Sequence, residues 1–287
     1  MSRMLEYFAT LVADDASLPL TEAAVALAQD AYPDLDIQGV LAEIDKLAMR
    51  VMQRVPADAG ALQKLQLLDH FFFRELGFAG NQNDFYHPDN SYLNIALQTR
   101  RGIPISLAVL YMEIGQQMGL PLRGLSFPGH FLLRLSVPGG DVVIDPLTGQ
   151  SLSPTRLLEL VEPYLSHYRA EAEQSGQDLA LWALLRPFLE PASPREILAR
   201  MLRNLKVIYT QNERWERLLA VQERMVLVLP HAVDERRDRG LAYARLHHVR
   251  QAQDDLQYYL QKQPDASDAQ AIRETLADLD KLGGAAD

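Results

Sequence analysis

The chain has 287 residues, of which 48% are hydrophobic and 23% are charged, and it contains no cysteine. This composition is typical of a globular protein, and it excludes a disulfide framework, a thiolate-bound zinc or iron–sulfur cluster and a cysteine nucleophile. The net charge of −10 argues against nucleic acid as a partner, because phosphates would be repelled. No apolar run reaches the roughly 18 residues that a membrane span needs, so we expect no membrane contact and a cytoplasmic location.

The first 80 residues are predicted to form helices. Thr21 and Asp36 are of the residue types that cap helix N-termini. The apolar residues between 40 and 52 recur with the i, i+3, i+4 spacing of an amphipathic helix. A third helix is expected from about residue 59 to Gly77, where glycine ends it.

The chain changes character after this helical region. Residues 77–91 are rich in Gly, Asn and Asp and are predicted to form a loop, which is long enough to suggest a functional role. A helix is expected from about Pro104, since proline is tolerated in a first turn, to Met118. Strand-like runs follow at 122–127, 131–137 and 142–145, with Gly139-Gly140 interpreted as a two-residue hairpin turn. We therefore predict an α+β fold that is mainly helical, with one helix beside a small antiparallel sheet.

The C-terminal part contains an internal repeat. Residues Ile197–Pro230 and Val233–Pro264 overlay with a shift of 34 residues, so that Tyr209 corresponds to Tyr243. The first unit has Lys206 where the second has a glycine. The second unit has the residue spacing that is typical of tetratricopeptide repeats, carried by Gly240, Tyr243, Ala252, Leu256 and Pro264.

These patterns predict two domains. The first is expected to span residues 1–185 and to contain the N-terminal helices and the sheet. The second is expected to span residues 190–287 and to consist of tetratricopeptide-like helical hairpins. A final helix at about 267–282 is expected to cover the open apolar edge of the repeats.

Four elements occur in order between residues 100 and 146. They are the helix that begins near Pro104, the sequence GLPLR at 119–123, Gly129-His130 and Asp145-Pro146. This order resembles the core of the transglutaminase-like (papain-like) superfamily. The resemblance implies a nucleophile at the start of the helix, followed by a histidine and an aspartate on successive strands.

The resemblance extends over the whole chain. A bacterial family, whose members are commonly labelled invasion-regulator-type or transglutaminase-like proteins, joins such a core to C-terminal tetratricopeptide-like repeats. The resemblance to this family implies no particular biochemical activity. The segments that are similar are YPDLD at 32–36, HPDNSYLN at 87–94, RRGIPISLAVLY at 100–111 and FPGHFLLRL at 127–135.

The chain departs from the superfamily at the nucleophile. Alignment without gaps back from Gly119 puts Pro104 at the position of the thiol, and Ser106 lies two residues later. A serine hydroxyl has a far higher pKa than a thiol and would depend on His130 as its general base. The main interpretation is therefore a protein without a catalytic nucleophile that acts as a binding or regulatory scaffold. Its repeats would pack on the core or recruit an unknown protein or peptide partner.

The alternative is an acyl-transfer hydrolase that acts on an amide or ester. Ser106 would attack, His130 would act as base and then as acid, and Asp145 would orient the imidazole. Each residue also has a structural interpretation. Ser106 is a small residue in a first helical turn, His130 begins an apolar strand, and Asp145 is a common turn residue before proline.

The hairpin geometry argues against contact between two members of this triad. A Gly139-Gly140 turn would pair Val137 with Val142 and would place Arg134, not His130, opposite Asp145. The two candidate catalytic side chains would then be roughly 13 Å apart at ~3.3 Å per residue. A longer loop or a bulge would bring them together.

Further polar residues are candidates for binding. Asn90, Ser91 and Asn94 either line a polar pocket beside His130 or serve as cap and turn residues of the helix that follows. Arg134 is the fourth candidate binding residue. The histidines lack the spacing of metal ligands, so no metal site and no cofactor is predicted. The oligomeric state is left open.

Overall fold

The computed structural model describes residues 2–81, 84, 86–175 and 185–283. The helices are α1 (Arg3–Leu11), α2 (Leu20–Ala26), α3 (Ile37–Met52), α4 (Ala61–Asp69), α5 (Leu93–Thr99), α6 (Pro104–Gln117), α7 (Pro154–Ser175), α8 (Pro194–Gln211), α9 (Trp215–Val228), α10 (Val233–Arg245), α11 (Val249–Lys262) and α12 (Ala269–Gly283). The strands are β1 (Ala79–Gly80), β2 (Arg101–Gly102), β3 (Leu122–Leu125), β4 (Leu132–Val137) and β5 (Gly140–Ile144). The predicted fold class, α+β and mainly helical, is confirmed. Among the described residues, no helix has both the length and the apolar character that crossing a bilayer requires.

The chain forms two compact units, which we call the core unit and the repeat unit. The core unit contains Leu20–Val25 and Asp36–Ile197. The repeat unit contains Met1–Pro19, Ala26–Leu35 and Leu198–Asp287. The domain bounds 1–185 and 190–287 stay a prediction. The structure adds that two N-terminal segments belong to the same compact unit as the repeats.

Helix α6 lies at the centre of the core unit. Its residues are apolar around most of the helix, from Ile105 to Ile114, and nearly all of them are buried. A helix that is hydrophobic on all sides must be surrounded by other elements, and α6 packs against α3, α5 and β3. Its first turn therefore lies inside the protein, which decides the environment of Ser106.

The antiparallel sheet has the order β3-β4-β5, and its hairpin corrects the predicted register. The loop is Pro138-Gly139, because Val137 pairs with Gly140 and Leu133 pairs with Ile144. The predicted pairing of Val137 with Val142 is wrong by two residues. The reason is that proline and then a glycine at φ 106° match the two central positions of a type II turn.

The segment between α4 and α6 differs from a simple loop. A π-helical turn, His70–Glu75, continues α4. Two-residue strands β1 and β2 then pair in parallel, and a 3-10 turn covers Pro88–Ser91. Strands this short carry no alternating pattern, so the sequence could not predict them. Residues 82, 83 and 85 of the predicted loop lie outside the described part of the chain.

The repeat unit contains helices α8 to α12, in which α9 packs against α10, α10 against α11 and α11 against α12. A buried apolar cluster between the last three helices contains Leu256, Tyr259 and Ile272. The N-terminal helix α1 packs against α9. The N-terminal helix therefore covers part of α9, as α12 covers part of α11.

Candidate functional site

Ser106 lies in the first turn of α6, and its side chain is 0% exposed. Its Oγ accepts a hydrogen bond from the backbone N–H of Ile103 at 3.1 Å. The hydroxyl also donates toward the carbonyl oxygens of Asn90 at 2.7 Å and Ile103 at 2.9 Å. A hydroxyl has one proton to donate, and here backbone carbonyls take it. Ser106 therefore fastens the start of α6 to the Pro88–Ser91 turn.

His130 lies on the protein surface, directly after the Pro128-Gly129 turn and before β4. Its backbone N–H donates to the carbonyl oxygen of Phe127 at 3.0 Å. Across the described part of the chain, no side chain forms a hydrogen bond or an ion pair with the His130 imidazole. Its ring is accessible to solvent, and it lacks the orienting partner that a general base needs.

Asp145 follows β5 and organises a turn. Its carboxylate accepts hydrogen bonds from the Leu147 backbone N–H at 2.9 Å and from the Thr148 hydroxyl at 3.2 Å. Its carbonyl oxygen accepts from the Gly149 backbone N–H at 2.8 Å. Within the described ranges, the structure brings neither Ser106 nor Asp145 into hydrogen-bonding contact with His130. The catalytic roles stay predictions, and the observed contacts of Ser106 and Asp145 are those of a helix start and a turn.

The candidate binding residues before α6, which are Asn90, Ser91 and Asn94, have buried polar groups. Asn90 is buried, its Oδ1 accepts from the Asn81 side-chain amide at 3.0 Å, and its own amide donates to the Asp84 carbonyl at 2.5 Å. Asn90 therefore connects Asn81 and Asp84 to the Pro88–Ser91 turn, which is itself hydrogen-bonded to the start of α6. The Ser91 hydroxyl and the Asn94 Oδ1 are buried and lack a hydrogen-bond partner among the described residues.

Arg134 lies on the central strand, between Arg123 of β3 and Val143 of β5. Its Nη1 donates to the carbonyl oxygen of Leu189 at 2.8 Å and lies 3.8 Å from the Asp141 carboxylate. These contacts connect the sheet to the 3-10 turn at 186–189. The candidate binding role of Arg134 stays a prediction, and its observed contacts are within the fold.

Sequence reasoning missed a titratable pair inside the core unit. Asp69 ends α4 where the π-helical turn begins, and the Tyr111 hydroxyl of α6 donates to its Oδ1 at 2.5 Å. Burial raises the pKa of Asp69 to about 6, against the opposing effect of that hydrogen bond. Burial and the neighbouring carboxylate raise the pKa of Tyr111 well above its ordinary value. A π turn has no sequence signature, so nothing in the chain pointed to this pair.

The repeat unit contains a cavity of about 600 Å³. Apolar walls come from α9, α10 and α12, and polar groups stand among them. Gln222 of α9 is 1% exposed, and neither its Nε2 nor its Oε1 has a hydrogen-bond partner among the described residues. At Arg245, the guanidinium lies over the Trp215 ring, 5.3 Å from its centroid. Its lining includes Lys206, Trp215, Gln222, Asp238, Arg245 and Asp278.

Within the described residues, no group of three or more His, Asp or Glu side chains is placed to hold a metal ion. The polar groups described above form hydrogen bonds and ion pairs within the chain. They surround the start of α6 in the core unit and the cavity in the repeat unit.

The helix and sheet of the core unit, together with the helical hairpins, define a transglutaminase-like protein with a tetratricopeptide-like module. A model of the transglutaminase-like superfamily matches residues 38–203, and a tetratricopeptide repeat model matches residues 205–277. The chain belongs to the UPF0162 family of transglutaminase-like proteins. This confirms the resemblance on which the sequence-based expectation rested.

Relatives match along nearly the whole chain. A UPF0162 protein of Xylella fastidiosa is 37% identical over 271 residues, which cover 93% of this chain and 92% of the relative. A UPF0162 protein of Vibrio cholerae is 26% identical, over 90% of this chain and 91% of its own length. Protein SirB1 of Salmonella typhimurium is 25% identical, over 89% and 90% respectively. No solved structure matches the chain significantly.

Proposed function

We propose that this protein is a non-catalytic binding protein, in which a transglutaminase-like core without its thiol carries a repeat module that binds a protein partner. The observation that carries the proposal is the state of Ser106. Its hydroxyl is buried and hydrogen-bonded to the backbone of Asn90 and Ile103, two residues after Pro104, which aligns with the nucleophile of the superfamily.

The chemistry of the core supports the absence of catalysis. The chain contains no cysteine, and a thiolate is the nucleophile that a helix N-terminus and a histidine activate in such cores. Serine would need a base within hydrogen-bonding reach. The Ser106 hydroxyl instead donates to a carbonyl oxygen, and the His130 imidazole lies at the surface.

The repeat unit supports the binding role. Tetratricopeptide-like hairpins create concave surfaces between their helices, and this unit contains a cavity of about 600 Å³ with apolar walls. Cavities of that size, with a few polar groups among apolar ones, are typical of ligand sites.

The first experiment separates this proposal from a hydrolase built on Ser106, His130 and Asp145. A serine-reactive fluorophosphonate is incubated with the wild type and with Ser106→Ala and His130→Ala variants. We expect no labelling of the wild type. Labelling of the wild type that both substitutions abolish would establish the hydrolase and overturn the proposal.

The second experiment tests binding at the cavity. A photo-crosslinking amino acid replaces Thr210, which is exposed and lines the cavity. The matched control carries it at Asp254, which is exposed on α11 and does not line the cavity. We expect a cross-linked protein in cell extract from position 210 and none from position 254. Identical cross-links from both positions, or none from either, would contradict recruitment through this surface.

A further inference from the structure

Three arginines lie against aromatic rings on the surface of the core unit. Arg50 is in the last turn of α3, and Arg54 follows the end of that helix. The guanidinium carbons of both residues lie 5.4 Å from the centroid of the Phe71 ring. The third arginine, Arg100, ends α5, and its guanidinium lies over the Phe78 ring at 4.8 Å. Aromatic contacts of this kind hold a guanidinium in place while its N–H groups stay available.

Arg100 extends to the same face of α3 as Arg50. Its Nη2 lies 4.0 Å from the carboxylate of Glu43, and Glu43 is two helical turns before Arg50 on that face. Burial lowers the pKa of the Arg100 guanidinium, the Glu43 carboxylate opposes this effect, and the positive charge of Arg50 adds to it. Arg50 and Arg100 are therefore close enough to repel each other.

The neighbouring carboxylates do not balance all of this charge. Glu75 of the π-helical turn pairs closely with Arg54, at 2.5 Å. Glu43 is 53% exposed and lies at the outer limit of an ion pair with Arg100. Arg50 is exposed and forms no ion pair with any described residue. Positive groups that converge in this way destabilise the fold until an anion lies between them.

The backbone at Arg100 supports a role for its side chain. The residue has φ 59° and ψ 24°, the left-handed conformation, at the C-cap of α5. Glycine is the usual residue at such a position, because a Cβ is strained there. Its Nη1 is buried, so an anion meets this guanidinium from the Nη2 side, next to the exposed carboxylate of Glu43. An arginine in a strained conformation indicates that a positive group is needed at this point of the surface.

The number of charges defines the anion. Each guanidinium donates paired N–H bonds that match the oxygens of a carboxylate or a phosphate. Arg50 and Arg100 carry two positive charges, which balance a phosphate monoester with a charge close to −2; a carboxylate would balance only one. The net charge of the chain, −10, repels a long polyanion. The site therefore suits an isolated phosphate group.

We propose that Arg50 and Arg100 bind the phosphate group of a phosphate ester at the surface of α3, next to Arg54, which Glu75 holds in place. This site belongs to the core unit, and it goes beyond the proposed function of the protein. Phosphate binding here does not depend on the binding of a protein partner by the repeats, so the two proposals stand or fall separately.

The test follows the full chain, labelled with nitrogen-15, through the NMR signals of the Arg50 and Arg100 Nε–H groups. The probe is methyl phosphate at about pH 7, where a phosphate monoester carries a charge close to −2. Acetate at the same ionic strength is the comparison, because screening is then equal. We expect both signals to shift saturably with methyl phosphate, and we expect about tenfold weaker binding of acetate.

Four variants make the test specific. Arg50→Gln, at an exposed position, should weaken methyl phosphate binding about tenfold. Arg100→Gly should weaken it to a similar extent, and glycine suits the left-handed backbone, so the helix end is preserved. Glu43→Gln removes the competing carboxylate and should tighten binding about threefold. The matched control is Arg123→Gln, at an exposed arginine of β3, which lowers the net charge equally and should leave binding unchanged.

Equal binding of methyl phosphate and acetate, or binding by Arg50→Gln that equals the wild type, would overturn the proposal. Sedimentation with phosphatidylcholine vesicles, prepared with and without phosphatidic acid, separates two sources of the phosphate group. Vesicle binding that requires both phosphatidic acid and Arg50 assigns the group to a lipid headgroup. Methyl phosphate binding without vesicle binding assigns it to a soluble ester. A partner cross-linked from position 210, with no binding of methyl phosphate, would retain the proposed function and remove this inference.

Discussion

Arg224 of α9 and Asp30 form a buried ion pair inside the repeat unit. The Arg224 side chain is 2% exposed, and its guanidinium also lies over the Phe8 ring of α1, 5.5 Å from the centroid. Burial raises the pKa of Asp30, and the charge of Arg224 opposes that rise. Asp30 and Phe8 belong to two different N-terminal segments, and both contact Arg224 of α9. Arg224 therefore attaches these two segments to the repeat helices.

Removal of Arg224 tests this connection. Arg224→Met leaves the Asp30 carboxylate partly buried without its partner, so we expect a loss of about 3 kcal/mol in the free energy of unfolding. Urea denaturation gives this value. The matched control is Lys281→Met, which breaks an exposed pair with Asp278 and should cost no more than about 0.5 kcal/mol. Equal losses in the two variants would contradict a structural role for the buried pair.

The Asp69 carboxyl should make stability depend on pH. Its pKa is about 6 in the folded protein, above the ordinary value of 3.8, so folding takes up a proton between these values. The stabilising contribution is complete below the lower value and is lost as the pH rises through 6. Relative to Asp69→Asn, the wild type should lose stability across this window, by at most about 1.4 kcal/mol per pH unit. Urea denaturation from pH 4 to pH 7 measures it.

Tyr111→Phe is the companion variant for this prediction. The Tyr111 hydroxyl stabilises the ionised Asp69 carboxylate, so its removal should raise the pKa of Asp69 further. The loss of stability should then occur at higher pH than in the wild type. A pH profile that is the same in the wild type and in Asp69→Asn would show that Asp69 does not titrate in this window.

Ser106→Ala should lower the free energy of unfolding. The variant loses the hydrogen bonds of the Ser106 hydroxyl with the Ile103 backbone N–H and with the Asn90 carbonyl oxygen. The Ile103 N–H keeps the Asn90 carbonyl oxygen as an acceptor at 3.2 Å, so we expect a cost of about 1 kcal/mol. The control is Ser136→Ala, at an exposed serine that bonds to Asp141 and should change stability by less than about 0.5 kcal/mol. Denaturation curves for both variants decide the matter. If Ser106→Ala were as stable as the control, the hydroxyl would not serve the fold.

Gly240→Ala should separate two helices of the second repeat. The new Cβ would lie 2.9 Å from the Leu256 side chain and 3.1 Å from the Asp255 Cβ. We expect a cost of about 1–3 kcal/mol from this overpacking, seen as a lower unfolding midpoint. The matched control is Gly60→Ala, where an added Cβ would meet nothing within 4 Å, and it should change stability by less than about 0.5 kcal/mol. A Gly240→Ala loss as small as this one would mean that the close approach is not required.

Local sequence patterns predicted the helices and strands more accurately than they predicted the contacts between them. The periodic apolar residues of α3 and α6 and the 34-residue shift of the repeats were sufficient to predict helices and hairpins, because these features depend on neighbours along the chain. The hairpin register was predicted wrongly, since Pro138-Gly139 competes with Gly139-Gly140 for the turn. The π turn after Asp69 and the two-residue strands had no local signal.

The sequence by itself determined that this protein has no thiol, and it predicted a transglutaminase-like core followed by tetratricopeptide-like repeats. Residue identity and spacing are sufficient for such statements. Only the tertiary structure decided that the Ser106 hydroxyl is held by backbone groups, that His130 lies at the surface and that the buried Gln222 amide has no hydrogen-bond partner among the described residues. These facts depend on contacts between distant parts of the chain, and the free energy of burial and hydrogen bonding is fixed by the groups that meet there.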